Sequence, residues 1–429
     1  MLHRLIYYLG MLKRNPSLLE YYNFLKESDF WSLEKLQKYQ LEKAKVFFQF
    51  VYEHSVFYRE LFDQVGFNAQ KITCVDDIKV LPIIDKNILL RENERIQSDY
   101  RFKKLFFSET SGTTGQVLKF YRNEEWESGH RAAMFRGYHW YGVKVWEKNG
   151  YFWGYNIDKK QKYKVAFLDF LQNRFRMFSY DKEELKRFIK RLRRAAYLEG
   201  YSSMIYETAK MVNQLPERKN DFKLKMVKGT SEKIYESYQE EIQKAFGLKM
   251  ISEYGSTESG IIAYECPEGG HMHICMENVI VEEVNGEIVV TNLLSYSFPI
   301  IRYKLGDYVK LADKTFRCKC GREHSVILDI LGRVGKCVKG YVQQYPSLMF
   351  YYVFKNIALT TSISLNYQAI QKEIGKVDLR IEQNQPEYQY ILQRELDKYF
   401  KKDVDFKIVW GQTLHTWNGK LRDFISELD

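Results

Sequence analysis

The sequence predicts a mixed α/β protein with a large N-terminal domain over 1–332 and a small C-terminal α+β domain over 333–429. Three observations lead there. Apolar residues recur at helical spacing through the first 65 residues, strand patterns dominate from Lys223 to Leu331, and after Arg333 the pattern resets to short strands and helices. The chain has 429 residues, 45% hydrophobic and 28% charged, enough apolar content for a sizeable core and too much for disorder. Seven prolines leave no room for long Pro-rich linkers. No run approaches about 20 apolar residues, so no transmembrane helix is expected.

The elements follow in order. Residues 2–12 form an amphipathic helix with Arg4, Lys13 and Arg14 alongside. Its plainer role is packing on its own domain; the other is peripheral contact with a membrane surface or partner. The first ten residues lack a small-residue cleavage site, so they are not read as a signal peptide. Leu33, Leu36, Tyr39, Leu41, Ala44, Phe47, Phe48 and Val51 mark a second, longer helix. Residues 105–108 and 117–121 read as strands flanking the polar turn 109–116, a hairpin. Residues 182–194 read as a helix with six bases (Lys186, Arg187, Lys190, Arg191, Arg193 and Arg194) opposite the stripe Leu185, Phe188, Ile189 and Leu192. Such a run is most simply a solvated face. Strands follow at 250–255, 279–284, 287–292 and 308–311, with Asn285-Gly286 as a two-residue hairpin turn.

Lys plus Arg is 66 against 55 Asp plus Glu, a net charge of +11. That favours anionic partners such as phosphorylated substrates or an acidic membrane. No RNA- or DNA-binding motif accompanies it, so nucleic acid is not expected as a partner. The cysteines are Cys74, Cys266, Cys275, Cys318, Cys320 and Cys337. Sparse cysteines in a large chain suit the cytoplasm, with metal binding favoured over disulfides.

Four motifs carry chemistry. Thr110, Ser111, Gly112, Thr113, Thr114 and Gly115 put four hydroxyls and two glycines into six residues. Glycines let backbone wrap a ligand, and hydroxyls with N–H groups satisfy phosphate oxygens. No Gly-Lys-Ser/Thr follows, so this is not a Walker A loop; alone, an ordinary polar hairpin loop explains it equally well. Tyr254, Gly255, Ser256, Thr257 and Glu258 follow a strand: an aromatic to cover a base, two hydroxyls, and a carboxylate suited to Mg²⁺. Asp307, on an expected tight turn, can accept two hydrogen bonds from a ribose diol, and Arg333 lies some 25 residues on. Asn418-Gly419-Lys420 places a lysine on a glycine-hinged loop.

That ordered set resembles the adenylate-forming enzymes: acyl-CoA synthetases, peptide-synthetase adenylation domains and luciferases. Within them it is most similar to the phenylacetate–CoA ligase branch and its capsule-biosynthesis, CapK-like members. The features behind the narrower likeness are the helical start over 1–65, with its 52–58 segment, the segment 81–86, the modest chain length, and the spacing of cysteines and histidines over 266–273 and 318–322. The resemblance implies an adenylate-forming N-terminal domain and a mobile C-terminal lid. It also implies roles: 110–115 on the β- and γ-phosphates, Thr257 on the α-phosphate, Glu258 on Mg²⁺, Tyr254 on adenine with Gly255 and Ser256 in the same loop, Asp307 and Arg333 at the ribose, and Lys420 as catalytic lysine. Glu232, in Gly229-Thr230-Ser231-Glu232, resembles the segment preceding the adenine pocket. The acid's pocket is expected beside the aromatic tract 138–155.

The implied reaction uses ATP and Mg²⁺ to activate an unidentified carboxylic acid as its adenylate. The acyl group then passes to CoA, a carrier thiol or a sugar of a surface-polysaccharide precursor. The Cys337-Val338-Lys339-Gly340-Tyr341 stretch departs from true CoA ligases, which makes adenylation the firmer half. A catalytically inactive scaffold in polysaccharide assembly is the alternative; the presence of both Lys420 and Glu258 argues against it. Cys266, His273, Cys318 and Cys320 form a Cys₃His set with no evident open position, as in structural Zn²⁺ sites. His271 competes for the histidine place, Cys275 is a spare, and free thiols in a reducing compartment are the bland explanation.

Overall fold

The computed structural model describes all residues except 1, 111–117, 153–158, 177–181, 215–221, 231–233, 235, 334–336, 362, 364, 366, 415, 418–419, 422–423 and 429, and leaves out some side chains, those of Arg333 and Lys420 included. The chain divides into two compact units, with a break between Arg333 and Val334.

The large unit begins with helices α1 (Leu2–Arg14), α2 (Leu18–Glu27), α3 (Leu33–His54) and α4 (Val56–Val65). In α3 the expected stripe is the buried one: Leu36, Ala44, Phe47, Phe48 and Val51 face inward, and Ser32 caps the start by accepting the Lys35 N–H. Each aromatic buried there contributes on the order of 2 kcal/mol. Two short helices, α5 (Lys86–Arg91) and α6 (Asn93–Ile96), lead to a hairpin of β1 (Leu105–Glu109) and β2 (Lys119–Asn123), registered from Leu105↔Asn123 to Glu109↔Lys119. The second arm starts later than the expected Val117. Fully buried Leu118 closes the hairpin base instead: its carbonyl accepts the Thr110 N–H and its own N–H donates to the Thr110 hydroxyl, outside the ladder.

Helix α7 (Glu124–Trp140) precedes a run of β-α-β units: β3 (Asn149–Phe152), α8 (Lys159–Leu171), β4 (Arg174–Arg176), α9 (Lys182–Leu192), β5 (Tyr197–Tyr201), α10 (Ser202–Asn213), β6 (Met226–Thr230), α11 (Glu236–Phe246) and β7 (Met250–Ser256). Helix α9 stops two residues before the expected end. Its exposed Lys186, Arg187, Lys190 and Arg191 stand opposite buried Phe188, Ile189 and Leu192, so the basic run is a solvated face.

Antiparallel strands follow: β8 (Gly260–Glu265), β9 (Met272–Ile274), β10 (Val279–Val284), β11 (Glu287–Asn292), β12 (Ile300–Leu311) and β13 (Val326–Arg333). Together they make one sheet of order β10-β11-β12-β13-β9-β8-β7-β6-β5-β3-β4. Strand β7 runs parallel to β6 and antiparallel to β8, so the sheet changes character there. Ligands of open α/β sheets gather outside strand carboxyl ends, and β7 is the last parallel strand on this side of the sheet.

One expectation is corrected. Strand β12 has 12 residues and starts at Ile300, not at 308, so Asp307 stands on a strand. Arg302 and Lys304 disguise the strand in sequence. Arg302 is buried, bonded to both oxygens of Glu282 and to the Leu81 carbonyl. Gly306, at φ +81°, sits at the irregularity in the ladder just before Asp307. Among the described residues no helix is long and apolar enough to cross a membrane.

The small unit contains the short pair β14 (Cys337–Lys339) and β15 (Gln344–Pro346), then α12 (Leu348–Thr361), β16 (Tyr367–Glu373), β17 (Lys376–Ile381), α13 (Gln389–Phe400) and β18 (Asp405–Val409). It ends with β19 (Thr416–Trp417), β20 (Lys420–Leu421) and β21 (Phe424–Ser426). Its main sheet has the order β18-β17-β16-β21. Phe350, Ile357, Leu392, Leu396 and Phe400 of the two helices share its core with Ala369, Leu379 and Ile381 of the strands.

Candidate functional site

The second and third motifs meet in space. Three strands separate β7 from β12 in the sheet, yet the Tyr254 hydroxyl donates to Asp307 Oδ2 at 2.8 Å. The β12–β13 ladder pairs Asp307 with Arg333, so the two expected ribose residues are backbone neighbours. Gly255 lies at an irregularity in the β7–β8 ladder, where a Cβ would stand 2.2 Å from the Gly260 carbonyl oxygen. The turn that follows is set by Ser256, whose Oγ accepts the Ser259 N–H at 3.0 Å. Thr257 occupies that turn, half-buried.

Glu258 is buried. Its Oε1 accepts from the Tyr303 hydroxyl at 3.3 Å, and its backbone carbonyl accepts from the Asn292 amide. Two further residues escaped the sequence reading. Arg122, on β2, donates to Ser108 Oγ at 2.6 Å and pairs with Glu127 at 3.3 Å. Burial lowers its pKa, while the fields of Glu127 and, more weakly, Glu258 oppose that. His130, on α7, accepts the Ile261 N–H on Nδ1 at 2.9 Å, which props β8 behind the motif. Burial, with Arg122 adding to it, pushes His130 down to about 4, so it is neutral near pH 7. A basic residue in an alternating strand and a polar residue in a helix look solvated in sequence; only the fold turns them inward.

The remaining predicted positions divide. Thr110 is buried at the hairpin base, its Oγ1 accepting the Leu118 N–H at 3.1 Å. Ser111, Gly112, Thr113, Thr114, Gly115 and Glu232 lie outside the described residues. For Lys420 the backbone is described: it begins β20, paired with Trp417. In the aromatic tract, Trp146 lines a basic cavity, while the residues near its start are buried or half-buried and hydrogen-bonded. Tyr138 is buried and donates to Glu199, Trp140 Nε1 donates to Asp29 at 2.9 Å, and Tyr141 donates to the Glu265 carbonyl at 3.0 Å. Beneath them Lys228 lies between Glu253 at 2.8 Å and Glu199 at 3.2 Å. Burial alone would lower the Lys228 pKa, but the two carboxylates hold it above the usual lysine range.

Cys266, His273, Cys318 and Cys320 converge, with their donor atoms all within 4.8 Å of one another. Cys266 and Cys318 sulfurs are 3.6 Å apart, and Cys320 Sγ is 3.2 Å from His273 Nε2. A tetrahedral Zn²⁺ with ordinary Zn–S and Zn–N bonds would hold its ligands roughly 3.3–3.8 Å apart, so the set fits zinc. Burial pushes His273 down to about 3, which leaves it neutral and able to coordinate. A Cβ on Gly269 would stand 2.3 Å from Cys318 Sγ, so the loop can wrap the cluster only with glycine there. His271 instead packs edge-on against Phe316. Cys275 lies apart, its thiol pushed up to about 11 by burial.

Beside this cluster lies a buried ionic core. Glu277, wholly buried, receives Arg136 Nη1 at 2.7 Å, His324 Nε2 at 3.0 Å and the Ser28 hydroxyl. Lys43 donates to the Glu277 carbonyl at 2.8 Å. Burial would raise the Glu277 pKa, but Arg136 and His324 hold it well below the usual carboxylate range. These bonds tie α2, α3 and α7 to the β9–β10 turn.

No family model matches the chain. In sequence it is similar to Protein CapK of Staphylococcus aureus, with 26% identity over 301 residues. That match covers 64% of this chain and 63% of CapK, so the chain spans less than two thirds of that relative. In structure it is similar to a 2-hydroxyisobutyryl-CoA ligase crystallised in the postadenylation state with R3-HIB-AMP: TM-score 0.63, 16% identity, 94% of this chain and 92% of that one. It is also similar to the acyl acid amido synthetase GH3.15, with a TM-score of 0.50, 12% identity and 88% of each chain covered. At these identities the structural likeness establishes the fold.

Proposed function

The chain has the fold of the adenylate-forming ligases and a CapK-like sequence, and on that premise we propose that it activates a carboxylic acid with ATP and transfers the acyl group to an acceptor. The observation carrying this reading is the Tyr254–Asp307 hydrogen bond, close to the buried carboxylate of Glu258 just past the carboxyl end of β7. Tyr254 then covers the base and Asp307, supported by Arg333, takes the ribose diol. The 110–115 loop holds the β- and γ-phosphates, and Thr257 contacts the α-phosphate. Glu232 precedes the adenine pocket. Glu258 holds Mg²⁺, which supplies charge neutralisation on the phosphates.

A carboxylate oxygen of the acid attacks the α-phosphorus, and the bond to pyrophosphate breaks. No general base is needed, because the acid is already ionised near pH 7. Lys420, in a lid formed by 333–429, spans the carboxylate and the α-phosphate as charge develops. A nucleophile then attacks the acyl carbon and AMP leaves. The acceptor is CoA or a surface-polysaccharide precursor, a carrier thiol being the third choice, in a phenylacetate–CoA ligase-like enzyme of the cytoplasm.

Pyrophosphate release from ATP and Mg²⁺ across a panel of carboxylic and amino acids, with and without CoA, tests the reading. Release with one acid, raised by CoA, supports a CoA ligase; release indifferent to CoA supports a carrier or sugar acceptor. ATP binding with no release for any acid would favour an inactive scaffold.

The Cys₃His cluster is proposed to hold a structural Zn²⁺ that clamps the β8–β9 and β12–β13 loops. The purified chain is expected to carry about one zinc per molecule, and Cys318→Ser to lose it with a thermal midpoint lower by roughly 10 °C, since a structural zinc contributes several kcal/mol of folding free energy. Elemental analysis and a thermal melt check this. A metal-free wild type with the same midpoint as the variant would sink the zinc assignment.

A further inference from the structure

Helix α1 turns a row of leucines to solvent. Leu2, Leu5, Leu9 and Leu12 are each more than half exposed, and at 100° per residue they fall within one arc of about 80°. The opposite face holds the helix down: Tyr7, Tyr8 and Met11 pack with Trp146 and Tyr138. Helix α8 repeats the pattern with aromatics. Tyr163, Phe167 and Phe170, spaced i, i+4, i+7, are all exposed. The two helices meet where the His3 ring packs edge-on against Phe170 at 5.8 Å and His3 Nδ1 lies 3.3 Å from the Leu171 carbonyl.

A basic cavity of about 580 Å³ opens beside the first turn of α1, lined by Arg4, Lys148, Arg194, Lys223 and Lys225 together with His3. The acid in its described lining is Glu147, held by Lys225 at 2.7 Å. The Lys148 pKa is lowered by partial burial and then by the positive fields of Arg191 and Arg194, as expected where cations outnumber anions.

We propose that this face docks flat on an anionic phospholipid bilayer. The α1 leucines and α8 aromatics enter the boundary between headgroups and acyl chains, and the basic cavity takes headgroup phosphates. Leu and Phe on one side with Lys and Arg beside them is the composition of a helix lying in a membrane interface. The charge decides the occupant: a second copy would bring another set of cations against the first, whereas an acidic leaflet complements it. The inference stands on α1, α8 and the cavity alone and is independent of the reaction proposed above.

Co-sedimentation of the full chain with vesicles tests it. Vesicles of phosphatidylcholine with about one third phosphatidylglycerol are expected to bind the chain at least ~10-fold better than pure phosphatidylcholine, with binding weakened as salt rises. Leu5→Glu with Leu9→Glu is expected to cut binding by ~10-fold or more without changing far-UV circular dichroism. Lys223→Glu with Lys225→Glu should weaken it separately, through charge. No binding to the acidic vesicles overturns the proposal. So does binding untouched by the leucine substitutions, or a dimer in solution that those substitutions dissolve with no vesicle binding.

Discussion

Lys420→Ala is expected to lower pyrophosphate release by at least ~100-fold while leaving ATP affinity within a few-fold of wild type. The reasoning is differential binding. On the proposed function, ground-state ATP would be held by its phosphates, base and ribose through 110–115, Glu258, Tyr254 and Asp307. In the transition state negative charge sits on both the attacking carboxylate and the α-phosphoryl oxygens, and only then is an ammonium bridging them fully used. A loss confined to turnover therefore marks a transition-state contact; an equal loss in ATP binding would mark ordinary charge attraction. Single-turnover pyrophosphate release and calorimetric titration with ATP separate the two. Wild-type release by the variant would remove Lys420 from the mechanism.

Arg136→Met should cost about 3–5 kcal/mol of stability, read as a lower urea midpoint with an unchanged denaturant slope. The guanidinium is 1% exposed and stands 2.7 Å from a carboxylate that is wholly buried. Removing it leaves Glu277 among groups that cannot replace a full positive charge in a site closed to water. Replacing Glu277 by Leu in the same chain should recover part of the loss, because the orphaned charge goes with it. A single-variant cost under about 1 kcal/mol would show that the core tolerates the unpaired carboxylate.

What could be read from sequence depended on whether chemistry was contiguous. Tyr254 through Glu258 were legible as a short string at the end of a strand, Asp307 as the acid of another short string whose strand was not recognised, and the Cys₃His set because cysteines are rare enough for spacing to mean something. The α3 stripe and the Asn285-Gly286 hairpin were legible from period and turn chemistry; the hairpin pairs Val284 with Glu287. Strand β12 was half hidden, since Arg302 and Lys304 look like loop residues until Glu282 and the Leu81 carbonyl are seen to bury the first of them. Arg122, His130 and the Arg136–Glu277 core were invisible for one physical reason. A charged residue is normally solvated, and only tertiary partners far along the chain make its burial affordable.

The spacing at Gly255 bears on any attempt to re-engineer the chain. A methyl group at that position would meet the carbonyl of the facing strand at 2.2 Å, a collision with backbone that no rotamer change relieves. In a library randomised over 254–258 and selected for a new acid, Tyr254, Thr257 and Glu258 are constrained by the ATP roles proposed for them. Position 255 should return glycine from every round, whatever the acid, because it records the distance between two strands and carries no information about the ligand.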